Sequence, residues 1–252
     1  MPTNNYGHAI DESDVAAYAE NWQRCLNEDI PDLFYAFDQS EGMTERISSF
    51  RISGTTVADL LTATESFGTD FRFYIRLVLK PGYRDQEMIP ETPFFYPLIQ
   101  VASTNSRGLD NENAFIPDWD PNPKIDHSTD SNVDEIPGAG AYLFVENWLA
   151  EDHNDLADVF TLTASHNNQR VVSYKFSKDE SQAFYNALDA VKSDTPQVSI
   201  HLGSSFVVAS HPVAFRPVIE VASGSGRGQM LGKKTNAYFD FSNPTPPYPA
   251  GG

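Results

Sequence analysis

The sequence predicts an α+β protein made of two tandem, pseudo-symmetric repeats. Each repeat reads as helix, strand and helix followed by a mostly antiparallel meander, with the helices on one sheet face. Three observations predict this. Phe95–Gly108, "FYPLIQVASTNSRG", returns as Phe215–Gly228, "FRPVIEVASGSGRG", with eight of fourteen positions identical. "ENW" at Glu20–Trp22 returns at Glu146–Trp148, and "RISSFRIS" at Arg46–Ser53 returns as "RVVSYKFS" at Arg170–Ser177. Ile75–Leu77 returns as Ile200–Leu202, so all the landmarks keep their order at separations of 120 to 126 residues. Ordered self-similarity at nearly constant spacing marks a repeated unit, here of about a hundred residues.

The elements follow in order. "DESDVAAYAENWQRCL" opens with Asp and Ser capping residues and carries apolar side chains at helical spacing, so it reads as a helix. "RISSFRIS" and "RVVSYKFS" alternate and are rich in β-formers, and read as strands. "GTTVADLLTAT" and "SKDESQAFYNALDAV" are short capped amphipathic helices, with Leu60 and Leu61 standing where Phe184 and Tyr185 stand. The strand–helix–strand portion is expected to cross over right-handed. "FRFYIRLVLKP" and "QVSIHLGSSFVVA" read as long strands, the two copies of the Val-Ala-Ser segment as strands ending in a turn, and "NAFIPDW" and "NAYFDFS" as last short strands.

These elements divide the chain into a first repeat over 1–116, a linker over 117–140, a second repeat over 141–242 and a tail over 243–252. The linker holds four prolines and six acidic residues, and the tail, "NPTPPYPAGG", is proline-rich. In the core of each repeat, a helix, a strand with a short helix, then "RFYI" or "IHLG" and a hydrophobic strand ending in a polar turn resemble short uncharacterised proteins common in Bacteroidetes. That resemblance implies no activity.

Charge and cysteine content narrow the function. Lys and Arg number 17 against 35 Asp and Glu, a net charge of −18. Such a chain repels phosphate backbones and anionic headgroups, which argues against nucleic acid and membrane partners. Cys25 is the only cysteine, so neither an intrachain disulfide nor a thiolate metal cluster can form. The N-terminal residues have no basic and apolar leader pattern, so a cytoplasmic location is expected, with signal-independent export left open.

Motifs that could carry chemistry are incomplete. Ser223–Thr235 has glycines, but Gly232-Lys233 is followed by Lys234 and preceded at five residues by Arg227, so it reads as a turn rather than a phosphate loop. Asp118, Asp120, Asn122 and Asp126 have the oxygen spacing of a calcium loop, yet Pro123 and Thr129 stand where glycine and a bidentate Glu belong. The six histidines show no ligand spacing, and His201, in the place of Arg76, reads as a surface exchange on a strand. No nucleophile elbow is present. The repeated arginines, Arg46 with Arg170 and Arg107 with Arg227, are the remaining candidates for ligand or interface contacts, with a structural role favoured for Arg107 and Arg227 at the turns. The sequence therefore points to a non-enzymatic interaction or structural subunit of a larger assembly, with no cofactor and with protein partners, a second copy of itself included. The alternative is a binding module for a small ligand or glycan in a cleft between the repeats.

Overall fold

The computed structural model describes residues 5–38, 43–83, 92–104, 111–125, 135–164, 167–205, 214–223, 236–240 and 244–245. The first half of the chain runs β1 (His8–Ala9), α1 (Glu12–Arg24), a 3-10 turn (Pro31–Phe34), β2 (Tyr35–Asp38), β3 (Met43–Arg46), β4 (Ser49–Ser53), α2 (Thr55–Ser66), β5 (Phe71–Leu79), β6 (Phe95–Ser103), β7 (Ala114–Ile116) and β8 (Asp118–Trp119). The second half runs α3 (Gly138–Ala150), a 3-10 turn (His153–Asp155), α4 (Leu156–Val159), β9 (Thr161–Ala164), β10 (Asn167–Arg170), β11 (Ser173–Lys175), α5 (Lys178–Val191), β12 (Pro196–His201), β13 (Ser204–Ser205), β14 (Ala214–Phe215), β15 (Val218–Ser223), β16 (Asn236–Asp240) and β17 (Pro244–Thr245). The protein is α+β, and every strand pair among the described residues is antiparallel.

Local sequence accounts for the helix ends. Ser177 and Glu180 form a reciprocal capping box that starts α5. α2 starts at Gly54, whose φ of +64° suits glycine; a Cβ there would lie 2.1 Å from the Asn5 side-chain oxygen. α1 carries Glu12 and Asp14 in its first turn, where the helix dipole favours acids.

Strand pairing crosses between the halves. The six-stranded sheet has the order β1-β7-β6-β5-β11-β17 and the five-stranded sheet β16-β15-β12-β4-β8. So β4 leaves the first half to pair with β12, and β11 leaves the second half to pair with β5. The stretches read as single strands, Arg46–Ser53 and Arg170–Ser177, each break in two. Arg46 ends the β2–β3 hairpin and Arg170 the β9–β10 hairpin, and three residues later the chain enters a sheet built mainly by the other half. In consequence β4-α2-β5 joins two different sheets instead of making a right-handed crossover within one. Alternation shows which face of a strand is apolar; it does not say which neighbour that strand will choose.

The ends of the chain segments called linker and tail take part in the sheets. β8 pairs with β4, placing Trp119 opposite Phe50, and β17 pairs with β11, placing Pro244 opposite Tyr174. Ile136 N–H donates to Tyr238 O at 2.9 Å, as Ile10 N–H donates to Ala114 O at 3.0 Å.

One large core joins the halves. Trp22, Phe34, Phe95, Trp148, Phe160 and Phe215 are all buried in it. At its centre the Phe34 and Phe160 rings stack at 5.2 Å with a 5° interplanar angle. Trp148 meets Phe34 edge-on at 5.0 Å, and Trp22 meets Phe160 edge-on at 5.3 Å, both favourable aromatic geometries. α2 packs on β4, β6 and β12, while α5 packs on β5, β15 and β16.

The expectation of helices on a single sheet face gives way to helices on both faces of the five-stranded sheet. Ile219 and Phe239 join the main core, while their chain neighbours Val218 and Tyr238 point the other way and pack under Ala141 of α3. A strand buried on both sides needs such cover.

Candidate functional site

Arg46 and Arg170, two of the four candidate arginines, clasp the halves together. Arg46 Nη1 donates to the carbonyls of Trp148 at 2.8 Å and Glu151 at 2.7 Å, at the C-terminal end of α3. Its Nη2 donates to Tyr35 Oη at 2.7 Å. Arg170 Nη1 donates to Trp22 O at 3.1 Å at the end of α1, and its Nη2 to Asn27 Oδ1. A guanidinium over the last carbonyls adds a donor to groups that otherwise accept a 3.4 Å bond from the C-cap N–H, and it complements the helix dipole. Neither helix end works alone, since each tryptophan answers the clasp. Trp22 Nε1 donates to Val171 O, and Trp148 Nε1 to Ile47 O, both at 2.8 Å. Burial lowers the Arg170 pKa, with the Cys25 thiol opposing that shift.

Arg107, Arg227 and Asp126 lie outside the described residues. Of the three other oxygen-bearing candidates, Asp118 has a partner elsewhere, while Asp120 and Asn122 bond each other. Asp118 accepts from Gly7 N–H at 2.8 Å. Buried Asp120 stands 3.7 Å from Arg51 and accepts from Asn122 N–H at 3.3 Å. Arg51 in turn lies over the Tyr6 ring at 3.7 Å. Among the described residues, no group of three or more His, Cys, Asp or Glu side chains could hold a metal ion.

The outward face of the five-stranded sheet holds a buried polar layer that the sequence reading missed. His201, expected on the surface, is 1% exposed, and Glu220 beside it is 4% exposed. His201 Nε2 lies 2.9 Å from Glu220 Oε2, while Tyr238 Oη donates to Glu220 Oε1 at 3.1 Å and Asn236 Nδ2 donates to the same oxygen. The buried carboxyl group thus has three polar partners, as a polar group removed from water requires. With Nε2 engaged by Glu220, Nδ1 is the ring nitrogen of His201 that this contact leaves over. Ser49 stands opposite His201. Leu202 N–H donates to Ser48 O at 2.8 Å, so the Ser49–His201 pair is of the non-hydrogen-bonded kind, in which side chains approach most closely. Neither Ser49 Oγ nor His201 Nδ1 has a hydrogen-bond partner among the described residues.

Hydroxyl, imidazole and carboxylate in this order resemble a nucleophile with an oriented base. Ser49 is fully buried, however, so a substrate has no approach to its oxygen. Ser173 holds the matching place on the other sheet, equally buried, opposite Arg76. The serine belongs to the architecture.

α3 covers this layer. Ala141, Val145 and Trp148 face inward and Asn147 Nδ2 donates to Ser204 O at 3.4 Å. Two of the four exposed large apolar side chains among the described residues lie on α3, the others being Leu26 and Phe37. Leu143 is 59% exposed and Leu149 42%. Beside Leu149 runs a groove of about 330 Å³ whose walls include Ser48, Pro123, Ile125, Tyr142 and Glu146. Tyr142, Glu146 and Leu149 recur at helical spacing and form one wall. No composition or motif signal marks this groove, because its walls come from three separate chain segments.

No family model matches the chain, and comparison with curated proteins and with solved structures gives no match. No helix among the described residues is long and apolar enough to cross a membrane.

Proposed function

We propose that the protein is a non-enzymatic interaction or structural subunit of a larger assembly, built from two copies of one α+β unit about a pseudo-twofold axis, and that it engages its partner through the outer face of α3. The reciprocal pairs support the internal symmetry. Trp22 with Trp148, Arg46 with Arg170 and β4 with β11 each make the same contact in the opposite direction.

The observation that carries the functional reading is a difference within that symmetry. Where α3 exposes Leu143 and Leu149, α1 has Ala17 and Gln23, counted from the shared "ENW". A matching helix in the same fold does without those leucines, so the architecture does not require them. An exposed leucine in the wall of a groove, with a second exposed leucine on the same helix, suits an interaction site.

The test compares the full chain with the variant Leu143→Ser/Leu149→Ser, both checked for unchanged melting temperature. Each is purified from, and exposed to, its native lysate, and its mass is followed by light scattering. A complex formed by the parent and lost by the variant supports the reading. A monomer that captures nothing, or capture unchanged by the two serines, overturns it.

The second reading is a small-ligand or glycan module. It is favoured by the groove having walls from both halves, Ser48 from one and Tyr142, Val145 and Leu149 from the other, at a volume in the range of ligand pockets. Thermal stabilisation by one member of a ligand panel, without assembly, would select it.

A further inference from the structure

The chemistry around the α3 face narrows what can cover it. Glu146 lines the groove together with Lys124. At the C-terminal end of α3, directly after Leu149, come Glu151, Asp152 and Asp155, followed by Asp158 on α4. Asp152, Asp155 and Asp158 are exposed. Asp32 adds a further carboxylate 3.4 Å from His153 at the same end. α3 has no basic residue in its last turn, and the Arg46 guanidinium there is already engaged with backbone carbonyls. The groove lining itself carries one acid, Glu146, and one base, Lys124, and the helix that forms its wall runs on into a segment rich in exposed carboxylates. Burial, then the neighbouring Asp155, raises the Glu151 pKa, and Arg46 opposes that shift.

Resting on the reading of α3 as a docking face, we propose that its occupant is a basic amphipathic segment of a partner protein. The segment's apolar side chains seat in the groove between Leu149, Ile125 and Tyr142 and against Leu143, and its Lys and Arg side chains meet Glu146, Glu151, Asp152 and Asp155. A second copy of this chain is disfavoured because each copy carries a net charge of −18. An anionic lipid surface is disfavoured for the same reason. A basic helix laid in an apolar groove gains both apolar burial and charge complementarity, and the charges set its specificity and association rate.

The probe is a labelled helical peptide with a Leu stripe and a Lys stripe, compared by fluorescence anisotropy with Leu/Gln and Leu/Glu peptides of the same length. The Leu/Lys peptide is expected to bind the full chain, and binding should weaken with salt. Leu143→Ser/Leu149→Ser, which leaves the net charge unchanged, is expected to weaken it by about tenfold or more. Glu146→Lys/Asp155→Lys, which leaves the apolar wall intact, is expected to shift preference toward the Leu/Glu peptide. Equal binding of Leu/Lys peptide to the serine variant, or equal binding of the Leu/Gln peptide to the parent, overturns the proposal. If the native partner is lost with the serine variant while the Leu/Lys peptide fails to bind, the basic occupant is wrong and the docking face stands. Native capture that ignores the serine variant removes the docking face itself.

Discussion

On the six-stranded sheet, Arg76, Gln100 and Ser173 stand on three neighbouring strands; on the five-stranded sheet the corresponding places are held by His201, Glu220 and Ser49. The long Arg76 reaches Asn111 at 2.9 Å and Gln100 reaches the Glu112 carbonyl at 3.0 Å, both in the turn before β7. His201 and Glu220 instead bond each other, and draw in Tyr238 and Asn236. Two sheets with one pairing scheme thus satisfy their outer polar groups in two ways, one by borrowing loop atoms and the other by closing a network on itself. The inward faces barely differ, both carrying apolar residues into a shared core. What the halves hold in common keeps them together, and what differs is concentrated on the outer face of the five-stranded sheet and on the helix that covers it.

Four tests would break or sharpen that comparison. The largest effect is expected at the shared centre. Trp148→Ala empties a fully buried site and leaves the Ile47 carbonyl without its donor, a loss of about 4 kcal/mol by urea unfolding. Trp22→Ala should cost a similar amount, and a large difference between the two would show the halves to be energetically unequal. Next comes the divergent layer. Glu220→Ala leaves His201, Tyr238 and Asn236 without their common acceptor and should cost about 3 kcal/mol, against about 1 kcal/mol for Gln100→Ala in the corresponding place. Equal costs would mean that the closed network has no special weight.

The third test uses pH. Burial, followed by Asp118 and Tyr18, pushes the Tyr96 pKa up to about 12. The folded state then holds the phenolic proton more tightly than the unfolded chain, so this stability is present below the ordinary pKa of about 10 and is lost as pH rises toward 12. About 2 kcal/mol should disappear across that window, and Tyr96→Phe should remove that part of the slope. An unchanged slope in the variant would refute the assignment. The smallest effect is expected from Arg46→Lys, which keeps the charge and loses the fork that spans two carbonyls and Tyr35, a cost of about 1 kcal/mol. Arg170→Lys, whose contacts are fewer, should cost no more.

Much of this architecture was legible and some was hidden for physical reasons. Repetition singled out Trp22, Trp148, Arg46 and Arg170, but that they clasp the two halves together is visible only in the fold. Capping chemistry placed α5 correctly, since Ser177 and Glu180 act within four residues of each other. Strand exchange was hidden because a period of two carries no information about a pairing partner. Register was hidden too. "NAF" and "NAY" align as text, yet Phe239 stands opposite Ile219 as Phe115 stands opposite Ile99, one residue out of step. His201 misled because a polar residue at an alternating position reads as solvent-facing, and only the arrival of Glu220 and the cover of α3 make it internal. The α3 groove had no linear signal, since Ser48, Ile125 and Leu149 meet only in the fold.

The exchange of β4 and β11 also bears on dilution. Were the two halves separate polypeptides, completing either sheet would be a bimolecular step, and stability would fall with every decrease in concentration. Carried on one chain, each half meets the other at an effective concentration of about a millimolar, however scarce the protein. At nanomolar abundance that difference is about six decades, worth about 8 kcal/mol, comparable with the whole stability of a typical domain.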